Sequence, residues 1–160
     1  MLRSLAARLG RHTLLGYILL GAILMAGLLL LNNPAHSQGP ACRVCLSQVY
    51  GAGGKGGSPY RDDYVELFNP LPDSQSLSGL RLEYAPAQGE NWEGVALDPL
   101  TLPPFGYALV MFTSGAAGPE LPPADLVGAI KMHSSQGKLR IVDGNHNEYD
   151  LVGYGSADLS

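Results

Sequence analysis

Short apolar stretches bounded by turn residues dominate the chain from residue 44 onward. In residues 80–84 (LRLEY) a period of two places the apolar side chains on one face and Arg81 and Glu83 on the other. Residues 107–112 (YALVMF) form a continuous apolar run, which predicts a strand covered on both faces. The other predicted strands combine β-forming residues with turn residues at their ends and cover residues 44–50, 64–68, 126–132, 139–142 and 149–152.

The turn residues between these stretches predict an all-β fold. Asp143 and Gly144 separate two of the strands, so residues 139–152 are predicted to form a hairpin. Gly128 predicts a bulge or kink in its strand. No window after Leu31 shows the 3.6-residue period of a helix. Six or more short strands joined by Gly and Pro turns predict a β-sandwich.

Two irregular loops interrupt the strands. Residues 51–59 (GAGGKGGSP) predict a flexible connection, and residues 115–124 (GAAGPELPPA) are stiffened by prolines. The first loop superficially suggests a phosphate-binding loop, but such a loop requires Lys followed by Ser or Thr at the start of a helix. Lys55 instead lies inside the loop, and strand residues follow it. Because sandwich loops often contact partners, Gly53, Gly54 and Lys55 are the candidate partner-contact residues.

The N-terminus has the order of a targeting segment. Residues 1–37 contain three arginines and no acid, and residues 13–31 are 19 residues without a charge. The small residues Ala35 and Ser37 supply a cleavage site for a signal peptide. The rival is an uncleaved anchor, since 19 apolar residues just span a bilayer. Either way residues 38–160 are expected to be an exported domain, secreted or tethered to the outer face of the cytoplasmic membrane.

Composition limits the class of protein and of partner. The 160 residues are 46% hydrophobic and 15% charged, too apolar for a disordered tail and too sparsely charged for a coiled coil. Residues 38–160 carry seven Lys and Arg against fourteen Asp and Glu, which gives a formal net charge of −7. Direct nucleic-acid binding is therefore not expected, because it depends on Lys and Arg to neutralise phosphates. The expected partner is a protein or another cell-surface component.

Five motifs in order resemble the bacterial lamin tail domain: LSQVYGAGG (46–54), DDYVELFNP (62–70), LSGLRLEY (77–84), LPPFGYALV (102–110) and DLVGYGSAD (150–158). The resemblance implies an immunoglobulin-like β-sandwich in an exported protein, of a kind often found beside nuclease or phosphatase domains. It implies no catalytic residues. The chain departs from the family in two respects: members often continue past the GYG motif into a further strand region, and the family does not require cysteines in its first strand.

Asp62 and Asp63 are weak candidates for metal ligands. With Glu66 they place three carboxylates within five residues. In a strand, however, Asp62 and Glu66 lie about 13 Å apart at 3.3 Å per residue, too far for one Ca²⁺. Solvated acids that keep a strand edge polar are the favoured alternative. Residues 143–147 (DGNHN) mimic the start of a calcium loop, but the diagnostic Gly and Glu are missing. No metal or other cofactor is expected.

Cys42 and Cys45 form the sharpest chemical feature of the sequence. An even number of cysteines in an exported chain favours a disulfide. Residues three apart in a straight strand have Cα atoms about 10 Å apart, beyond disulfide reach, so this bond requires a turn at residues 43–44. Free or intermolecular thiols are the second interpretation. Catalytic redox chemistry is the last, because Cys42 leads into a strand and not into a helix N-terminus that would activate a thiol.

The catalytic inventory is thin, so the first hypothesis is a non-enzymatic exported binding or adhesion module. His133 and His146 stand in no recognisable Ser-His-Asp or Cys-His setting. Trp92, Tyr84 and Phe105 are candidates for an exposed aromatic patch, and burial in the core is the common alternative. The second hypothesis is an accessory domain truncated from a longer extracellular hydrolase such as a nuclease. The third is a small thiol oxidoreductase that uses the two cysteines.

Overall fold

The computed structural model describes residues 42–112 and 115–159. The predicted signal peptide or anchor, residues 1–37 with its apolar stretch 13–31, lies outside the described residues. No part of the chain that is described belongs to a helix capable of crossing a bilayer. The described residues contain ten strands: β1 Cys45–Tyr50, β2 Asp63–Phe68, β3 Gln75–Ser76, β4 Arg81–Ala85, β5 Glu93–Ala96, β6 Thr101–Leu102, β7 Tyr107–Phe112, β8 Leu126–Gly128, β9 Gly137–Val142 and β10 Glu148–Tyr154.

Eight of these strands form two four-stranded sheets. The first sheet has the order β1-β2-β7-β8 and is antiparallel except for the parallel pair β7–β8. The second has the order β10-β9-β4-β5 and is antiparallel throughout. The short strands β3 and β6 pair with each other. Residues 42–112 and 115–159 are therefore all-β, as the sequence predicts, and their open sheets are consistent with a β-sandwich.

Both large sheets contribute to one apolar core. Val65, Leu67 and Val110 of the first sheet are fully buried, and Leu82 and Ile141 of the second belong to the same cluster. Complete burial of an aliphatic side chain of this size contributes about 1.5–3 kcal/mol. Because side chains in a strand alternate between faces, burial of one set fixes which residues point away from the core.

Seven of the ten strands are predicted by the sequence, including the hairpin of β9 and β10. β8 ends at Gly128, the position expected to kink, and does not extend to residue 132. A Cβ on Gly128 would lie 2.7 Å from Cε1 of Phe112, so only glycine fits there. The three strands that the sequence does not reveal, β3, β5 and β6, are two to four residues long. β3 and β6 pair with each other and β5 pairs with the preceding strand β4, so these short strands are defined by their pairing and not by a local sequence pattern.

The prediction that β7 is covered on both faces is wrong. Ala108, Val110 and Phe112 are buried, whereas Tyr107 on the opposite face is 57% exposed. The continuous apolar run of residues 107–112 therefore forms a strand with one face in the core and the opposite face along a surface groove.

Glu83 lies on the face of β4 opposite Leu82, as the period of two predicts, and yet it is buried, with only 7% of its surface exposed. Arg140 of the neighbouring β9 donates two hydrogen bonds to Glu83 Oε2, from Nε at 3.0 Å and from Nη2 at 2.8 Å. The Arg140 guanidinium also lies 4.0 Å from the ring centre of Trp92. A charge that is paired in this way can be buried, because its hydrogen bonds replace those to water.

Asp143 organises the turn of the β9–β10 hairpin. Its Oδ1 accepts the backbone N–H groups of Asn145 at 2.8 Å and Asn147 at 2.9 Å, and its Oδ2 accepts the Asn147 side chain at 2.8 Å. These hydrogen bonds, above all those from Asn147, hold the pKa of Asp143 below its ordinary value. The calcium-like DGNHN sequence is thus explained by the needs of a tight turn.

We expect residues 38–160 to fold alone as an all-β domain. The reason is that the described strands bury their apolar faces against one another in a single cluster. Far-UV circular dichroism of this segment is the measurement. A helix content above about a quarter, near the average for globular proteins, would contradict the expectation.

Asp143→Asn is expected to weaken the acid dependence of stability. Because the pKa of Asp143 is lower in the folded than in the unfolded protein, its charged form stabilises the fold above the unfolded value of about 3.9, and this contribution is lost as pH falls through the folded value. The free energy of unfolding in urea, measured near neutrality and near pH 3, should therefore change less in the variant. Asp73→Asn, at an exposed acid, is the control, and an equal change in both variants would refute the assignment.

Candidate ligand-binding surface

Aromatic side chains are concentrated on the outward face of the first sheet. Because Val65 and Leu67 of β2 point into the core, Tyr64, Glu66 and Phe68 point outward. The antiparallel register pairs these three residues with Tyr50, Gln48 and Cys45 of β1 and with Met111, Leu109 and Tyr107 of β7.

The rings of this face pack on one another in two groups. Tyr50 and Tyr64 are stacked with ring centres 5.4 Å apart, and Tyr60 stands edge-on to both, at 5.8 Å from Tyr50 and 5.7 Å from Tyr64. Phe68 and Tyr107 are stacked with ring centres 4.6 Å apart. Such pairs contribute about 0.5–1.5 kcal/mol each beyond the area they bury. The rings are therefore held in place by their own contacts and form an ordered platform.

A groove of ≈ 320 Å³ opens between this platform and the Pro-rich loop of residues 115–125. The loop is fixed to β7 because Leu109 N–H donates to Asp125 Oδ2 at 2.8 Å and Asp125 N–H donates to the Leu109 carbonyl at 2.9 Å. Arg61 N–H also donates to the Pro119 carbonyl at 2.8 Å. The apolar lining comes from the platform and from this loop, and consists of Tyr60, Tyr64, Tyr107, Ala108, Leu109, Leu121, Pro122 and Pro123.

The polar lining of the groove is rich in acceptor oxygens. Within the described residues it contains Gln48, Glu66 and Asp125, and no Lys, Arg or His. Ser47 donates its hydroxyl to Glu66 Oε1 at 2.5 Å, and Tyr64 donates its hydroxyl to Gln48 Oε1 at 3.2 Å. Burial raises the pKa of the Tyr64 phenol, so this hydroxyl stays protonated at physiological pH. The groove therefore suits apolar contacts combined with neutral or positively charged groups.

The Gly-rich loop, predicted to be a flexible connection, is folded back on itself. Ser58 N–H donates to the Lys55 carbonyl at 3.0 Å, and the Lys55 amine donates to the hydroxyl of Ser134. Gly54 has a φ of +72°, and a Cβ there would lie 2.3 Å from the Cα of Gly115. Glycine is required at Gly54 both by its backbone conformation and by this close approach. The loop thus packs against the start of the Pro-rich loop.

Asp62 and Asp63 are buried and bonded to neighbouring groups of the protein. Each is only 2% exposed, so the prediction of solvated acids at a strand edge is wrong. Asp62 Oδ2 lies 3.2 Å from Arg61 Nε, and Asp63 Oδ1 accepts the Gly53 N–H at 2.8 Å. These bonds anchor the start of β2 to the preceding loop. In the described ranges no three His, Cys, Asp or Glu side chains are grouped so that they could hold a metal ion.

A disulfide joins Cys42 and Cys45, whose Cα atoms lie 5.4 Å apart. The chain bends at Arg43 and Val44, and β1 begins only at Cys45. The Val44 side chain, 2% exposed, belongs to the core cluster. The bond therefore closes a four-residue loop at the entrance to the first sheet, where the packing of Val44 also holds the bend.

The aromatic residues that the sequence singles out lie in three different environments. Tyr84 is buried in the core, and its hydroxyl accepts the N–H of His133 at 3.0 Å. Trp92, just before β5, is half-buried and stacks against the guanidinium of Arg140. Phe105 is 59% exposed in the turn before β7. The aromatic surface that does form was missed, because it is assembled by the register of β1, β2 and β7.

Comparison with known proteins does not assign the chain to a family. No protein-family model matches the chain, and no curated protein matches it. The lamin-tail resemblance therefore stays a prediction from the five sequence motifs, and the function is inferred from the geometry of the surface.

Removal of the disulfide is expected to cost little stability. The stabilisation by a disulfide grows with the length of the loop it closes, and a four-residue loop gives at most about 2 kcal/mol. The free energy of unfolding of the Cys42→Ser, Cys45→Ser variant in urea should fall by no more than this amount. Wild-type protein in a reducing agent should match the variant. A loss above about 3 kcal/mol, typical of a structural disulfide, would show that the bond has a larger role.

Proposed function

We propose that residues 38–160 form a non-enzymatic exported module that binds a protein partner at the cell surface through the groove of the first sheet. We also propose that the fold of this module is an immunoglobulin-like β-sandwich of the lamin tail type. Two open four-stranded sheets that share one core support this assignment, as do the five motifs in their order. In this proposal the N-terminal segment, residues 1–37, exports the module and leaves it secreted or membrane-tethered.

The exposure of Tyr107 on an ordered aromatic platform is the observation that carries the proposal. Tyr107 stacks on Phe68 and yet leaves 57% of its surface in water. Aromatic residues are enriched at protein interfaces, and tyrosine is among the residues that most often dominate binding energy. Because the rings are already fixed by their mutual contacts, little conformational entropy is lost when a partner covers them.

The lining of the groove indicates the chemistry of the partner. Glu66 and Asp125 offer carboxylates, and the described lining contains no cation to balance them. Tyrosine faces also attract Lys and Arg side chains. Grooves walled by aromatic rings commonly receive extended segments that need little ordering on binding. The proposed occupant is an extended protein segment that carries apolar side chains together with Lys or Arg.

Tyr107→Ser tests this surface directly. Immobilised residues 38–160 would be used to recover partners from envelope extract, and each recovered protein would then be titrated in purified form. Loss of a central aromatic contact should raise the Kd by about tenfold or more. Circular dichroism of the variant should be unchanged, because Tyr107 contributes little to the core.

Phe105→Ser is the matched control. Phe105 is as exposed as Tyr107, at 59%, and does not line the groove. Its replacement should leave the Kd unchanged. If Tyr107→Ser binds like the wild type, or if both variants lose affinity equally, the groove is not the binding surface.

A further inference from the structure

We propose a second site, separate from the groove, that binds a phosphate-type oxyanion where the Gly-rich loop meets residues 131–134. A pocket of ≈ 320 Å³ lies there, and its polar side chains are Lys55, Asp63, Lys131, His133 and Ser134. None of these residues lines the groove of the first sheet, so this site does not depend on the function proposed above.

Two lysines and one carboxylate line this pocket, which gives it a formal excess of positive charge in a domain of formal net charge −7. Lys55 and Lys131 both line it, and within the described residues neither forms a salt bridge. One carboxylate, Asp63, also lines the pocket; it is buried, and its Oδ1 already accepts the N–H of Gly53 at 2.8 Å. Carboxylates elsewhere pair with three other cations of the domain, which are Arg61, Arg81 and Arg140.

Apart from the buried Asp63, the polar side chains of this pocket can donate hydrogen bonds to a ligand. Lys55 donates to the Ser134 oxygen, which leaves the Ser134 hydroxyl proton and further ammonium protons of Lys55 for a ligand. His133 Nδ1 accepts the N–H of Ser135 at 3.3 Å, so the neutral ring carries its proton on Nε2. Lys131 adds an exposed ammonium group with three donors. These four donor groups, together with the positive charge of the lysines, suit the binding of an oxyanion.

The number and charge of these donors favour a phosphate-type oxyanion over a carboxylate. A phosphate group carries about −1.5 to −2 charges and at least three strong acceptor oxygens, whereas a carboxylate carries one charge and two oxygens. The pocket contains two lysines and no arginine in its described lining. The site differs from a P-loop, because the N–H groups of Gly53 and Gly54 are already bonded, to Asp63 and to the Tyr60 carbonyl. Side chains, and not the glycine backbone, would hold the phosphate group.

Titration of the ¹⁵N-labelled full chain in detergent micelles with inorganic phosphate, at constant ionic strength, tests the site. The backbone signals of Lys55, His133 and Ser134 should shift and saturate. Lys55→Met and Lys131→Met should each weaken binding about tenfold, the effect of one lost charge-assisted hydrogen bond. Ser134→Ala keeps both lysines and should also weaken binding, which separates loss of the donor from loss of charge.

Arg43→Met is the charge-matched control, since it removes one exposed cation at the other end of β1 and should leave the affinity unchanged. Acetate should bind about tenfold more weakly than phosphate, because it carries a smaller negative charge and fewer acceptor oxygens. Glycerol phosphate that binds as tightly as inorganic phosphate would identify a phosphate carried on a larger molecule, and weaker binding would identify free phosphate; both results support the site. Shifts that do not saturate, equal binding of acetate, or an equal loss in Arg43→Met would overturn it.

Discussion

Complete burial of Val65 and Leu67 in β2 is the constraint on which the rest of the first sheet depends. β2 lies between β1 and β7, so its register sets the faces of both neighbours. A slip of one residue would move Tyr64 and Glu66 into the core and expose both aliphatic side chains, at a cost of about 1.5–3 kcal/mol for each. The aromatic groove on the outward face of the first sheet thus depends on the packing of Val65 and Leu67 on the inner face.

The same register explains why one loop contributes to two surfaces. Asp63, the first residue of β2, is buried, and its carboxylate needs donors; Gly53 supplies one from the Gly-rich loop. Held at this point, the loop places Lys55 in the pocket beside residues 131–134, and Tyr60, which follows the loop, lines the groove. Asp62 and Asp63, for which the sequence suggests a role in solvent or at a metal, therefore hold the backbone that positions residues of both candidate sites.

Period-two patterns made most of the strands predictable, since each reflects burial of one face of a local segment. The surroundings of the side chains on the opposite, outward faces of these strands were not predictable in the same way. Glu83 is buried in a pair with Arg140, 57 residues away, and the aromatic platform unites rings from three strands. One cue was present: in DYVELF, Tyr64 and Phe68 alternate with the aliphatic residues and so had to share the outward face. Which partners flanked them depended on strand pairing, which no local pattern contains.

Site-specific photo-crosslinking in the native envelope would test the central claim most directly, namely that the outward groove of the first sheet contacts a partner. A benzophenone amino acid at Pro122, an exposed residue of the groove wall, leaves every ring of the platform intact. The same probe at Glu148, exposed on the second sheet, is the control. Our account predicts a discrete crosslinked protein from Pro122 alone, diminished by excess purified residues 38–160. No product at Pro122, or the same product from both positions, would contradict it.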